Sequence, residues 1–130
     1  MGDRYRRLIC FAVFTSALFC YACREMEELC VFLGKNEPAR TYRDYYDEIA
    51  DIVNRVAWDG RWYQRIIKTD GTVMGSRHCT EGKIFIEPQA WCVMSGIAGD
   101  RTETVLKSVR ELLYTCLLYT SPSPRDLSTS

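Results

Sequence analysis

The feature that most constrains this 130-residue sequence is an alternation between helices that are apolar on most sides and helices with one apolar face. In the first predicted helix, residues 11–33, apolar side chains recur every three or four positions, and Gly34 follows as a residue suited to end a helix. The second predicted helix begins with Asn36 as its N-cap and ends near Trp58. It carries one apolar stripe, and charged side chains fill its other side.

The third and fourth predicted helices repeat the contrast. Pro88 opens a helix over residues 89–98 that is apolar nearly all round, and Gly99 breaks it. Asp100 and Glu103 predict a capping box for the fourth helix, which has a single apolar stripe made of Val105, Leu106, Val109, Leu112 and Leu113. Because buried and half-exposed helices alternate, the pattern favours two concentric helical layers over a bundle of four similar amphipathic helices. Two amphipathic helices cannot cover both apolar ones, so we expect part of a larger domain.

A β-hairpin is predicted between the two helix pairs. Residues 61–68 are predicted to form a strand, and residues 72–75 are predicted to form the returning strand. Asp70 and Gly71 between them favour a turn with a left-handed backbone at both central positions. A polar loop then leads into a short extended run over residues 83–86. The predicted fold class is therefore mainly α, a fragment of an (α/α)6 toroid with an inserted hairpin.

Charge and cysteine content limit the partners and the compartment. Acidic and basic residues balance at 17 each, so no charge excess favours nucleic acid or a polycation. The seven cysteines are an odd number spread mostly through apolar helical stretches, which is a poor disulfide framework and is typical of a cytoplasmic protein. No run is apolar over the length that a bilayer crossing needs, so no membrane partner is expected.

The amino terminus allows a second interpretation. Arg4, Arg6 and Arg7 precede an apolar run with a small-residue site near Ala22, which is the outline of a secretory signal peptide. The apolar spacing continues to Leu33, however, and one long buried helix explains all of it, whereas a signal peptide explains only its first half.

Several residue groups are candidates for chemistry, and each has a structural alternative. Cys20 and Cys23 form a C-x-x-C pair, but they lie within a helix and have no second ligand pair, so we expect buried structural thiols and no metal site. His78 and Cys79 are adjacent in a loop and make a poor nucleophile and base. Four carboxylates surround the hairpin, and spacing alone assigns none of them a catalytic role: Asp59, Asp70, Glu81 and Glu87. Turn formation explains Asp59 and Asp70 better than acid catalysis does. Gln89 is placed either to bind a sugar hydroxyl or to cap its helix.

Two stretches together resemble a known family. They are AWDGRWYQRIIKTDGTVMGS, residues 57–76, and EGKIFIEPQAWCVMSGIA, residues 81–98. Their order is similar to the W-D-G-x-W-[YF]-x-R strip, D-G turn, G-S pair and E-G-x-I-[FD]-x-x-P-Q-[SAG]-[WF] segment of cellobiose and chitobiose phosphorylases, glycoside hydrolase family 94. The matching residues are Trp58, Asp59, Gly60, Trp62, Tyr63, Arg65, Asp70, Gly71, Gly75, Ser76, Glu81, Gly82, Ile84, Pro88, Gln89 and Trp91. The resemblance extends over residues 13–113. The amino-acid sequence of the second stretch is more similar to cellobiose phosphorylases than to chitobiose phosphorylases.

The resemblance implies an (α/α)6 barrel and a cytoplasmic, homodimeric enzyme without cofactors. Such an enzyme cleaves a β-linked disaccharide, here cellobiose, with inorganic phosphate as co-substrate and gives α-glucose 1-phosphate and glucose. Chitobiose, laminaribiose and cellodextrins are alternative substrates. A non-catalytic carbohydrate-binding or interaction module built of helices is the alternative of another class.

Departures from the family pattern limit what can be assigned. The W-N-D motif of the general acid does not occur in this sequence, nor do the family's phosphate-binding histidine and threonine-glycine segment, so no catalytic residue is assigned and the chain alone is expected to be inactive. Arg61 stands where the family commonly has glutamate, and Gln64 replaces an apolar residue. Trp62, Arg65 and Gln89 are expected to line or support the sugar pocket.

The two ends are interpreted separately. Residues 1–10 are an uncertain start, and residues 11–114 form the partial barrel domain. Residues 115–130 have two prolines and no periodicity, and they resemble translated sequencing-adapter read-through, as found on metagenomic fragments.

Overall fold

The computed structural model of the protein describes residues 12–114. The uncertain start and the adapter-like tail both lie outside the described residues. The elements in chain order are helices α1 (Val13–Phe32) and α2 (Asn36–Val56), strands β1 (Ile66–Ile67) and β2 (Val73–Met74), and helices α3 (Ile86–Met94) and α4 (Thr102–Val109). A 3-10 turn (Gly99–Arg101) precedes α4, and a π-helical turn (Arg110–Tyr114) continues it. This order confirms a mainly helical chain with a hairpin between two helix pairs, while closure into a toroid stays a prediction.

Helix α1 is the centre of the packing. It lies along α2 over most of its length and also contacts α3, which in turn contacts α4. Small side chains on α1 permit this close approach, because Ala17 and Cys20 are completely buried. The same core contains Val53 from α2 and Val105 from α4. The hydrophobic core thus joins both helix pairs around one face of α1.

Several apolar side chains of α1 are exposed. Phe19, Leu29 and Val31 are 44%, 48% and 60% exposed, and Phe32 at the end of the helix is 86% exposed. The prediction that α1 is buried on several sides is therefore not met within residues 12–114, where α1 buries one face. The expectation that further parts of a larger domain cover these side chains stays a prediction. Within residues 12–114, no helix is both long enough and apolar enough to span a bilayer.

The predicted starts of two helices, α2 and α4, are wrong. Asn36 lies inside the first turn of α2, whose N-cap is Lys35, and no side chain caps that end. The capping box of Asp100 and Glu103 does not form, because Asp100 lies within the 3-10 turn and the N-cap of α4 is Arg101.

Helix α3 also begins and ends earlier than predicted, at Ile86 and Met94. Pro88 is tolerated in its first turn because backbone N–H groups there have no partner within the helix. Gly96, with φ of 84°, ends the helix in a left-handed conformation. A Cβ on Gly96 would lie 2.8 Å from the end of the Arg24 side chain, which would have to move.

The hairpin lies where the sequence predicts it, but its turn is of another type. Strands β1 and β2 are antiparallel, with Ile66 opposite Met74. Gly71 N–H donates to the Lys68 carbonyl at 3.0 Å, and Gly71 has φ of 88°. No non-glycine residue among those described has a positive φ, so Asp70 is not left-handed as predicted. Instead, its carboxylate accepts a hydrogen bond from Thr72 N–H at 2.8 Å, which lowers the pKa of that carboxyl.

Candidate functional site around the signature strip

We call residues 58–65 the signature strip, since they carry the W-D-G-x-W-Y-x-R pattern. The strip folds back on itself between Trp58 and Tyr63, which form an isolated antiparallel bridge. Asp59 N–H donates to the Trp62 carbonyl at 2.9 Å, closing the loop, and Gly60 takes φ of 86° within it. The strip is therefore a tight turn that connects the end of α2 to β1, not the continuous strand predicted over residues 61–68.

Trp62 fastens the strip to two other segments. Its side chain is 3% exposed, and its indole N–H lies 2.9 Å from each of two carbonyl oxygens, those of Gly75 and Lys83. One belongs to the end of the hairpin and the other to the run that enters α3. The indole is thus enclosed, and its donor is satisfied inside the protein.

Gln89 holds the backbone of the strip from α3. Its side chain is 1% exposed, and its amide oxygen accepts from Tyr63 N–H at 2.8 Å. Its amide nitrogen donates to the Tyr63 carbonyl at 2.7 Å and to the Phe85 carbonyl at 3.1 Å. The side chain therefore pairs with Tyr63 as a neighbouring β-strand would, and both amide hydrogens have partners.

Tyr63 anchors the strip to α2 through a network that the sequence does not reveal. The Tyr63 hydroxyl donates to the side-chain carbonyl of Asn54, whose amide nitrogen donates to the Ile97 carbonyl at 2.9 Å. Arg101 donates to the Asn54 backbone carbonyl at 3.0 Å, and its guanidinium lies 4.6 Å from the centre of the Trp58 ring. Arg101 is not part of the apolar stripe predicted for the fourth helix, and it covers this ring. Its partner Asn54 is 47 residues away in sequence, so no local pattern signals the pairing.

Stability should fall at alkaline pH because of Tyr63. Burial raises the pKa of its phenol from 10.0 to about 12. A raised folded-state pKa means that the contribution is fully present below pH 10 and is lost as the pH rises towards 12, since the unfolded chain ionises first. We expect Tyr63→Phe to show a smaller drop in thermal midpoint between pH 10 and pH 12 than the wild type. An equal drop in both proteins would contradict this assignment.

Asp59 fastens the loop that follows the hairpin. It is 8% exposed, and one of its carboxylate oxygens accepts from Arg77 N–H at 2.6 Å and from the Ser76 hydroxyl at 3.2 Å. The Arg77 guanidinium lies 3.7 Å from the other oxygen. Both carboxylate oxygens therefore have partners within the protein. This agrees with the prediction of Asp59 as a turn residue, and it shows that Asp59 also holds the loop after the hairpin.

The other candidate groups have structural partners. Nε2 of His78 lies near Arg77, whereas the Cys79 thiol donates to the Val73 carbonyl at 3.5 Å, so these neighbours do not form a nucleophile and base pair. Cys20 and Cys23 are buried within α1, and burial, aided by Cys23, raises the pKa of the Cys20 thiol to about 12. Both thiols are buried within a helix, as expected of structural cysteines. Residues 12–114 contain no group of three or more histidine, cysteine or acidic side chains that would hold a metal ion.

Arg65 differs from the rest of the strip. It is half-buried, and its guanidinium lies 4.4 Å from the centre of the Phe85 ring. Among residues 12–114, no carboxylate lies within 4.0 Å of this guanidinium, and its N–H groups make no hydrogen bond to the protein. Of the three residues expected to line or support a sugar pocket, Trp62 and Gln89 are enclosed, and Arg65 has donors available.

The chain is similar to known proteins over a region much longer than the signature strip. The family model described as glycosyl hydrolase 94 superfamily, catalytic domain, matches residues 9–127. A 3-O-beta-D-glucopyranosyl-beta-D-glucuronide phosphorylase of Paenibacillus borealis is 39% identical over 93 residues, which are 71% of this chain and 12% of that protein.

Two further relatives are named for other sugar substrates. A cellobionic acid phosphorylase of Neurospora crassa is 34% identical over 71 residues, 55% of this chain and 9% of that protein. An N,N'-diacetylchitobiose phosphorylase of Vibrio proteolyticus is 30% identical over 102 residues, 76% of this chain and 13% of that protein. The chain therefore spans only a small part, 9–13%, of these relatives.

Proposed function

The chain belongs to the glycosyl hydrolase 94 superfamily, as a part of its catalytic domain, and from this we propose that the protein containing it is an inverting phosphorylase of a β-linked disaccharide. The observation that carries the proposal is the family match over residues 9–127. The relatives named above support it, because each is a disaccharide phosphorylase by name. The resemblance confirmed by these findings covers both helix pairs and the signature strip.

The proposed reaction uses phosphate in place of the water of an inverting hydrolase. A carboxylic acid protonates the departing glycosidic oxygen, and a phosphate oxygen attacks the anomeric carbon from the opposite face. With cellobiose, the glycosidic bond breaks, a carbon–oxygen bond to phosphate forms, and the products are α-glucose 1-phosphate and glucose. Phosphate is already a nucleophile, so a separate catalytic base is unnecessary.

The general acid is proposed to lie outside this chain. The W-N-D motif is absent from the 130 residues, and we expect it within about a hundred residues upstream, judging from the length of barrel helices. Since the acid is elsewhere, the chain alone should be inactive. We also propose that the whole enzyme is cytoplasmic and homodimeric and uses phosphate as its only co-substrate.

Trp62 and Gln89 are proposed to support the sugar pocket without touching the sugar. Both are buried; Gln89 holds the strip backbone at Tyr63, and Trp62 ties the strip to the Gly75 carbonyl at the end of the hairpin. Arg65 follows directly on this fixed backbone and is the candidate for direct contact. The three residues thus have two proposed roles, support and binding.

Cellobiose is the first candidate substrate, and a disaccharide that carries a carboxylate is the second. The second is favoured by the names of two relatives, which specify a glucuronide and cellobionic acid. Chitobiose, laminaribiose and cellodextrins remain alternatives of the same reaction class.

The test is a substrate panel with the full-length protein that contains this chain. Cellobiose, cellobionic acid, N,N'-diacetylchitobiose and laminaribiose are each incubated with and without inorganic phosphate, and sugar 1-phosphate is measured. We expect saturable release from at least one of them only when phosphate is present. Failure with every sugar would favour the non-catalytic helical module, and cleavage that ignores phosphate would indicate a hydrolase.

A further inference from the structure

We propose that Arg65 is a preorganised oxyanion-binding residue whose guanidinium takes a carboxylate of the disaccharide or the inorganic phosphate. This deepens the proposed function and rests on it for the identity of the ligand. The shared chemistry is a group of two or more oxygens that carry negative charge. The inference depends on how the structure fixes Arg65, on what supports its side chain, and on the partners of the residues around it.

The backbone of Arg65 is held on both sides. Its N–H donates to the Met74 carbonyl at 2.8 Å, and its carbonyl accepts from Val13 N–H at 2.8 Å. Arg65 therefore joins the hairpin to the first residue of α1. A backbone fixed in this way limits the space that the side chain can sample, which lowers the entropy cost of binding a ligand.

The ring of Phe85 supports the guanidinium, and two glycines make room for that ring. A Cβ on Gly75 would lie 3.2 Å from Phe85 Cδ2, and a Cβ on Gly82 would lie 3.1 Å from Phe85 Cζ. Both glycines have positive φ, 81° and 60°. The ring is thus seated between two backbone turns, and the guanidinium lies over its face at 4.4 Å. An aromatic platform fixes the plane of a guanidinium and leaves its edges, with the N–H donors, open to a ligand.

Two arginines near Arg65 in the sequence, Arg61 and Arg77, have acidic partners, whereas Arg65 has none among residues 12–114. Arg61 pairs with Glu111, and Arg77 pairs with Asp59. Among residues 12–114, the Arg65 guanidinium has neither a carboxylate within 4.0 Å nor a protein hydrogen bond. Arg65 is half-buried, and a half-buried cation is stabilised more by an anionic partner than an exposed cation is. A ligand with negative charge would therefore bind favourably at this guanidinium.

A guanidinium with a fixed plane is suited to ligands with paired oxygens. Its N–H groups form a fork that matches carboxylate and phosphate in two parallel hydrogen bonds, whereas a neutral hydroxyl engages only one of them. Both classes of oxyanion occur in the proposed reaction, as inorganic phosphate and as the carboxylate of an acidic sugar. The geometry therefore favours an anion over a neutral sugar as the partner of Arg65.

The test measures anion binding directly, in the full-length protein without turnover. Inorganic phosphate alone and glucuronate alone are each titrated by calorimetry into the wild type, Arg65→Gln and Arg65→Lys. We expect Arg65→Gln to weaken one of the two anions by about tenfold or more, as loss of a charge-assisted bidentate pair would. Arg65→Lys should bind with intermediate affinity, because it keeps the charge and loses the fork.

Two more variants test the role of the Phe85 ring and control for the loss of an arginine charge. Phe85→Leu retains the arginine and removes its platform, so the same anion should bind more weakly than in the wild type. Arg55→Gln is the matched control, since Arg55 is an exposed arginine of α2 that pairs with Asp51, and its affinity for both anions should equal that of the wild type. Thermal midpoints of all variants identify any that fail to fold, and Arg65→Lys then replaces Arg65→Gln as the deciding variant.

The outcomes separate the ligand sources and the two proposals. Weaker phosphate binding assigns Arg65 to the co-substrate, and weaker glucuronate binding assigns it to a sugar carboxylate. If the wild type binds neither anion, or if Arg65→Gln binds both anions as tightly as the wild type does, the inference is overturned. Because these titrations need no catalysis, they give this answer even if the protein proves not to be a phosphorylase.

Discussion

Replacing Gln89 with leucine should increase hydrogen exchange at the signature strip by about a hundredfold. Leucine has a similar size but leaves the N–H and carbonyl of Tyr63, both bonded to Gln89, without partners in a buried position. Each unsatisfied buried backbone group costs about 1–3 kcal/mol, so the pair costs about 3 kcal/mol or more. Since about 1.4 kcal/mol corresponds to a tenfold change in an equilibrium, local opening should rise accordingly. Exchange of the peptide that contains Tyr63, followed by mass spectrometry, gives the measurement.

Gln64→Leu is the matched control for this substitution. Gln64 is next to Tyr63 in the strip and half-buried, and its side chain makes no hydrogen bond among residues 12–114. The same chemical change there should alter exchange by no more than about threefold, because it leaves no buried group unpaired. Equal effects at the two positions would show that glutamine-to-leucine changes disturb the strip in general, and the role given to Gln89 would then be wrong.

Gly75→Ala should open the hairpin and the platform of Arg65 together. Gly75 has φ of 81°, and an added Cβ would lie 2.9 Å from the backbone nitrogen of Arg65 and 3.2 Å from Phe85 Cδ2. The left-handed conformation alone costs a residue with a side chain about 1–2 kcal/mol. The overlap with a backbone atom adds to this cost, because the strand must move, and we expect a total of about 3 kcal/mol. Faster exchange over β1, β2 and the residues that lead into α3 is the expected result.

Gly34→Ala separates the conformational part of that cost. Gly34 has φ of 73°, close to that of Gly75, but a Cβ there would meet no atom within 4 Å. We therefore expect about 1–2 kcal/mol, measured as faster exchange at the connection between α1 and α2. If alanine costs the same at both glycines, close packing around Gly75 contributes nothing, and the platform argument for Phe85 is weakened.

The sequence predicts the order of elements better than their contacts. Apolar residues three or four positions apart place α1 and α2, and the Asp70-Gly71 turn places the hairpin, because both signals are local in the sequence. The capping box at Asp100 fails since a 3-10 turn displaces the helix start, and local patterns do not report such turns.

The site is less predictable than the fold for the same reason. The partners of Gln89 are 26 residues away at Tyr63, and those of Trp62 are at Gly75 and Lys83. From the sequence alone, Trp62 could equally be an exposed surface on which a sugar stacks or a buried side chain. Only the tertiary structure shows that its indole is enclosed. For Arg65 the tertiary structure shows a missing partner instead of a hidden one. Its guanidinium has no acidic partner within residues 12–114, and this is apparent only once the pairs formed by the other arginines are known.

The most direct test of the proposed chemistry is the anomeric form of the product. The full-length protein is incubated with cellobiose and inorganic phosphate, or with the best substrate of the panel, and the reaction is followed by proton nuclear magnetic resonance from its first minutes. An inverting phosphorylase predicts α-glucose 1-phosphate as the first sugar phosphate formed, with no cleavage when phosphate is omitted. Formation of the β-anomer, or of free sugars alone without phosphate, would contradict the account.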